Sequence, residues 1–126
     1  MTRKVIKTND APQAIGVYSQ GIKADNLVFT SGQIPLAPNG ELIKGNFESE
    51  CRQVIGNIEA VLKASDCKLS DIIKLTVFLT DLSLFPQLNE VFKEFFIEEP
   101  PARSAVEVSG LPMGVRVEME AIALAK

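Results

Sequence analysis

The sequence predicts an α+β fold: a mixed β-sheet with two helices packed on one face. Its periodic segments read, in order, β-hairpin, helix, strand, helix, strand, strand. Right-handed crossovers then put both helices on the same side of the sheet and leave the other side uncovered. The last strand agrees, because one set of its alternating residues is apolar while the other mixes charges with apolar groups. At 126 residues the chain has the length of an ordinary domain, able to bury about two-thirds of the surface its unfolded form exposes. Residues 1–126 are therefore read as one domain with one core and no linker.

The first third is β structure. "VYSQGIK" and "NLVFTSG" are short runs joined through "ADN", a turn-prone triplet that suits a hairpin, and "APNG" turns the chain after "QIPL". From Asn46, the predicted N-cap, the period becomes helical. Cys51, Val54, Ile55, Ile58, Val61 and Leu62 recur at spacings of three and four, and Glu48 and Glu50 fall in a first turn, where the helix dipole favours anions. "DIIKLTVFLT" returns to a period of two: Leu75, Val77 and Leu79 alternate with Lys74, Thr76, Phe78 and Thr80, which reads as a central strand. A second helix begins at "DLSLFPQ", with Ser83 as its cap and Pro86 tolerated in its first turn. Phe85, Leu88, Phe92, Phe95 and Phe96 share one face of it, and Pro100 and Pro101 end it. Two strands follow, Ala102 to Ser109 and Val115 to Leu124, connected through the turn "GLPMG".

Along the last strand Val115, Val117, Met119 and Ala121 point one way, and Arg116, Glu118, Glu120, Ile122 and Leu124 the other. In the strand before it, Arg103, Ala105 and Glu107 oppose Ser104, Val106 and Val108. A face with isolated charges among small and apolar residues suits a subunit interface better than a core, so a homo-oligomer is expected.

Composition narrows the partners. Thirteen Lys and Arg against sixteen Asp and Glu leave a net charge of −3, with no basic stripe to track phosphate, which argues against nucleic acid. No apolar run approaches the roughly 20 residues of a bilayer span, and "MTRKVIKTND" lacks the apolar centre of a secretory signal; no membrane partner and a cytoplasmic location are expected. There is no histidine, and Cys51 and Cys67 are too few for a zinc site built from nitrogen or sulfur ligands. Both thiols are expected to be reduced, with Cys51 on the apolar stripe of the first helix. Acid–base chemistry would then fall to Glu, Asp, Lys, Tyr or water.

"PPARSAVEV" sets Arg103 between a stiff double proline and an alternating strand. A guanidinium is a planar fork of donors that matches a carboxylate, so Arg103 is a candidate anchor for a small acid; the alternative is a solvated or ion-paired surface group. Glu118 and Glu120 share a strand face and could divide acid and base roles or position a water; the alternative is a solvated face paired with Arg116. Tyr18, the only tyrosine, offers a hydrogen bond to a ligand or is simply half-buried on a strand. Asn89 either faces a ligand or marks the outer edge of the second helix. In "SGQIP", Ser31 and Gly32 end a strand at a bend, or Gly32 lets a ligand approach the backbone.

Five segments, "APQAIGVYSQG", "VFTSGQIPL", "VFLTDLSLFPQLNEVFKEFF", "PPARSAVEV" and "VRVEMEAIALAK", resemble in order and spacing those of the RidA (YjgF) family of reactive-intermediate imine deaminases, over almost the whole chain. The resemblance implies a chorismate-mutase-like fold and a homotrimer whose sheets face inward, with ligand sites in the clefts between subunits. It also implies cofactor-free, metal-free hydrolysis of 2-imino and 2-enamino acids such as 2-aminoacrylate to 2-keto acids and ammonia, which protects pyridoxal-phosphate enzymes. By matching motif, Arg103 would grip the substrate carboxylate and Glu118 hold the attacking water with Glu120 in support, while Tyr18, Ser31, Gly32 and Asn89 would line the cleft. Ala105 stands where relatives usually carry cysteine, so only a role of its backbone carbonyl survives, and Val17 replaces a usual proline. The family also offers a different reading, a non-catalytic trimer that binds small carboxylates in a regulatory, chaperone-like or translation-affecting role. RNA cleavage, attributed to some relatives, finds little support in an acidic chain without histidine.

Overall fold

A computed structural model describes residues 2–126. The elements are β1 (Arg3–Ile6), β2 (Gly21–Ala24), β3 (Leu27–Thr30), α1 (Phe47–Lys63), β4 (Ile72–Leu79), α2 (Phe85–Phe95), β5 (Ala102–Glu107) and β6 (Val117–Leu124), with short 3-10 turns ahead of β4, α2 and β6. All six strands form one sheet in the order β1-β2-β3-β6-β4-β5. β4 and β5 are parallel, and the other pairings are antiparallel. Because β6 lies antiparallel between them, β3 and β4 run the same way, so α1 and α2 are both crossover helices on one face, as the sequence predicts.

The period-two and period-three-to-four patterns carry into burial. Cys51, Val54, Ile55, Ile58, Val61 and Leu62 of α1 are all buried, and Asn46 caps the helix by accepting the Ser49 backbone N–H at 2.9 Å. Leu75, Val77 and Leu79 of β4 and Val117, Met119, Ala121 and Ala123 of β6 meet the helices in one core, which Leu88, Val91 and Phe92 of α2 complete. Both cysteines are free and buried in this core, and burial pushes the Cys51 thiol up to about 12.

Three details differ from the sequence reading. β1 was not anticipated, because only Ile6 of its four residues is buried and an edge strand of that kind shows no alternation. The cap ahead of α2 is Asp81 rather than Ser83: its carboxylate accepts the Ser83 N–H at 2.9 Å and starts a 3-10 turn, Leu82–Leu84, that runs into the helix. Tyr18 lies in the loop before β2, not on a strand, because β2 begins only at Gly21.

A buried amide fixes the segment that follows β3. Asn57 of α1, 1% exposed, donates from Nδ2 to the carbonyls of Ile34 (3.1 Å) and Leu36 (2.8 Å) and accepts from Gln53 Nε2 at 2.9 Å. Asn57→Leu keeps the volume and removes these bonds. The expected result is a loss of about 1–3 kcal/mol, the cost of a buried carbonyl left without its donor, read as a lower urea midpoint at unchanged m-value.

The second sheet face carries no helix. Register lines up Val5, Ile22, Phe29 and Ile122 in one row across β1, β2, β3 and β6, and Phe78 beside Val106 on β4 and β5. Val5, Phe29, Val106 and Leu124 are exposed there. The row leaves an exposed apolar band along a sheet face that no helix covers.

Candidate functional site

Glu118 rises from β6 on the uncovered face, opposite Phe78 of β4, with Glu120 opposite Thr76 one step further. The chain after β3 crosses beside it, held by paired backbone bonds between Gln33 and Met119 at 2.7 and 3.0 Å. This brings Gly32 under the Glu118 carboxylate so closely that a Cβ at position 32 would stand 2.0 Å from Oε2. Glycine is required here by that approach rather than by a left-handed backbone. Burial, and secondly the charge of Glu120, hold the Glu118 carboxyl above the usual carboxylate range. Ser31, next to Gly32, turns its hydroxyl away to donate to the Ser19 carbonyl.

Arg103 is on the other side of the sheet. It stands in register with Leu75 of β4, which in turn faces Ala121 of β6, and both of those are buried under the helices. Its guanidinium lies over the rings of Phe85 and Phe92, 5.1 and 4.8 Å from their centroids. These faces attract and orient the cation without consuming its in-plane donors. Among the described residues no carboxylate forms an ion pair with it. Burial lowers its pKa, though a guanidinium stays protonated in proteins. It opens on a cavity of about 740 Å³, whose walls include Pro86, Asn89, Phe92, Phe96 and Pro101. The walls also carry the Glu90–Lys93 ion pair, so the cavity offers one cation without a carboxylate partner, Arg103, beside the Asn89 amide and apolar walls, a set that suits an acid with an apolar body. Ala105, two residues on, packs its methyl against the core, and β5 is an edge strand that pairs only with β4.

Tyr18 belongs to a third region. Its hydroxyl accepts the Ile15 N–H at 3.1 Å, which leaves the phenolic proton free to be donated elsewhere. The loop that carries it is shaped by Gln20, 3% exposed, whose amide accepts from the Thr8 N–H at 2.8 Å and donates to the carbonyls of Thr8 at 3.0 Å and Pro12 at 2.8 Å. Gln20 was missed by sequence reasoning; a lone glutamine beside a glycine carries no periodic signal.

The structure thus brings Arg103 together with Asn89, and Glu118 with Gly32 and Glu120, and keeps the two groups on opposite faces of one chain. One further expectation is corrected. Arg116 does not pair with Glu118 or Glu120; it makes a two-pronged ion pair with Glu50 of α1, because Glu50 is nearly fully buried and needs a cation.

The class of the protein is thus a two-layer α+β fold that carries, among the described residues, a guanidinium without a carboxylate partner, a carboxylate without a cation and an exposed apolar sheet face. Comparison with known proteins gives the class its family. The family model described as Endoribonuclease L-PSP matches residues 8–125. A RutC family protein of Pyrococcus horikoshii is 52% identical over 122 residues, 96% of this chain and 97% of that one. The 2-iminobutanoate/2-iminopropanoate deaminase of Mus musculus is 44% identical over 123 residues, 97% and 91% of the two chains. Among solved structures, yeast Mmf1 superimposes with a TM-score of 0.96 at 40% identity, covering 99% of this chain and 100% of that one. Escherichia coli TdcF with bound serine does so with a TM-score of 0.93 at 44% identity, covering 98% and 99%. The chain belongs to the RidA (YjgF) family, as its five segments led us to expect.

Proposed function

We propose that the protein hydrolyses reactive 2-imino and 2-enamino acids to 2-keto acids and ammonia, at sites completed between the subunits of a homotrimer. The observation that carries this reading is Arg103, a cation fixed on two aromatic faces with its donors unspent at the wall of a cavity. In the trimer the uncovered sheet faces pack inward, and Arg103 with Asn89 of one copy meets Glu118 with Gly32 and Tyr18 from a neighbour. Arg103 takes the substrate carboxylate in two parallel hydrogen bonds. The imine carbon is already electrophilic, so what remains is to place a water and move its protons. Glu118 accepts a proton from the water as its oxygen bonds to C2 and the C=N electron pair moves to nitrogen. Glu118 returns that proton to the nitrogen to give the carbinolamine, whose hydroxyl proton then passes by way of Glu118 to the nitrogen as the C–N bond breaks, so that ammonia leaves and the C2–O bond becomes the carbonyl of the 2-keto acid. An enamine first takes a proton at C3 to become the imine.

The test is a coupled assay in which an amino-acid oxidase supplies the imine and semicarbazide competes for it. Wild-type protein is expected to suppress the semicarbazone, and Glu118→Gln to lose about 10²–10⁴ of that activity, the usual worth of a positioned base. Because Glu118 must be ionised, and burial and Glu120 raise its pKa, activity should fall as pH drops through a midpoint above the ordinary value of about 4.3. Binding of 2-ketobutyrate with no turnover by any form would favour the non-catalytic carboxylate binder instead. The name of the family model brings in RNA cleavage, but a net charge of −3 and a chain without histidine favour the imine reading.

A further inference from the structure

Arg116 starts where strand geometry would give Glu118 a cation. It is the bend residue immediately before β6, continuing the line of the strand, with its carbonyl accepting the Thr80 N–H at 3.1 Å. Val115 and Val117 on either side are buried, so alternation sets the Arg116 Cβ on the same face as Glu118 and Glu120. Same-face neighbours two residues apart on a strand are roughly 6.6 Å apart, well within reach of an arginine. The guanidinium nevertheless goes elsewhere. It is drawn around the end of the sheet to the first turn of α1, where it lies 5.4 Å from the Phe47 ring centroid and binds both carboxylate oxygens of Glu50. The Glu50 side chain is 5% exposed and that of Arg116 41%, so the buried partner is the one that cannot do without the pair.

We infer that Glu50 is a positioning residue: it holds Arg116 away from Glu118 and thereby keeps the carboxylate above Gly32 uncompensated. That this matters for turnover rests on the deaminase reading, in which a Glu118 neutralised by arginine would be a poor base. Within its own chain, the surroundings of Glu118 leave Arg116 as the one cation positioned to do this; Arg103, which meets Glu118 from a neighbouring copy in the proposed trimer, is the cation that takes the substrate carboxylate. On β6 Glu118 faces the anionic Glu120; the Ser31–Pro35 segment packed against it carries no charge; β4 and β5 present Phe78 and Val106. Lys74, the remaining cation on that face of β4, lies level with Ile122 and is bonded to the Ser104 hydroxyl at 2.9 Å. The upward shift of the Glu118 pKa comes from burial and Glu120 alone, with no opposing cation.

The experiment follows the Glu118 carboxyl carbon by NMR against pH in the full-length protein, with its resonance assigned by its absence in Glu118→Gln. In Glu50→Gln the released Arg116 is expected to lower the Glu118 midpoint by about one unit or more, the usual effect of an adjacent opposite charge. Glu50→Gln/Arg116→Gln should return it to the wild-type value. Glu50→Met releases Arg116 in the same way with an apolar side chain, should the amide variant fail to fold. An unchanged midpoint in folded Glu50→Gln or Glu50→Met, or a lowered one that persists after Arg116 is removed, overturns the inference. In the imine assay the same variants should move the acid limb with the NMR midpoint and lower kcat at near-constant KM. A wild-type protein that turns over no imine would end the deaminase reading and leave the NMR result to decide the role of Glu50 by itself.

Discussion

Arg103→Ala is expected to yield a folded protein that has lost nearly all of its grip on acidic ligands. Truncating one partner of a desolvated charge pair costs about 2–5 kcal/mol, which is roughly a thirtyfold to several-thousandfold fall in kcat/KM. The fold should tolerate the change. Arg103 contributes two stacked contacts on Phe85 and Phe92, on an edge strand, and makes no ion pair among the described residues, so the loss in stability is confined to about 0.5–1 kcal/mol for each ring. Arg103→Lys separates charge from shape. It keeps the cation but loses the planar fork and much of the stacking, and should recover only part of the activity. Binding of a 2-keto acid by calorimetry, beside the imine assay, checks both variants. Full activity in Arg103→Ala would remove this residue from the site.

Gly32→Ala should cost almost as much activity by a different route. The new methyl group would stand 2.0 Å from Glu118 Oε2 and 2.8 Å from its Cδ, so the carboxylate must swing aside. What moves is the far end of a flexible side chain on a half-buried strand face, so the melting temperature should change little. Since the harm passes through Glu118, the two substitutions are not independent. Gly32→Ala/Glu118→Gln should be no worse than Glu118→Gln alone, a large positive coupling in a double-mutant cycle. Additive losses would mean that Gly32 serves the ligand directly and not through the carboxylate.

Much of this was legible in the sequence, for reasons that can be stated residue by residue. α1 and β4 are long elements with one buried side, so their hydrophobic periods reported the core directly. The alternation in β6 separated Met119 from Glu118 and revealed a face without a helix. The same pattern could not say which face Arg103 would take. Alternation assigns residues to two sides but does not orient the sides, and only the parallel register with Leu75 puts Arg103 beneath α2. β1 escaped because an edge strand with three exposed residues has no pattern to read. The Glu50–Arg116 pair joins residues from α1 and the entry to β6, a tertiary contact that neither segment signals locally. For Gly32 the sequence suggests a bend or a ligand close to the backbone; that the Glu118 side chain is what approaches it depends on the crossing of two segments far apart in the chain.

The position of β6 bears on how the chain acquires its shape. β1, β2 and β3 form a local meander, and β4, α2 and β5 a local crossover unit, and β6 is the strand hydrogen-bonded to both. It pairs Leu27 with Leu124, about three-quarters of the chain apart. Until β6 arrives, β3 and β4 each present an open edge, the kind of edge on which strands of other molecules add. Folding therefore depends on contacts of high sequence separation, which places it toward the slow end for a protein of this size. During synthesis β6 leaves the ribosome after β1 to β5, so the two halves wait with unpaired edges until it emerges. Its insertion joins the two halves into one sheet, and with it forms the surface on which Glu118 stands.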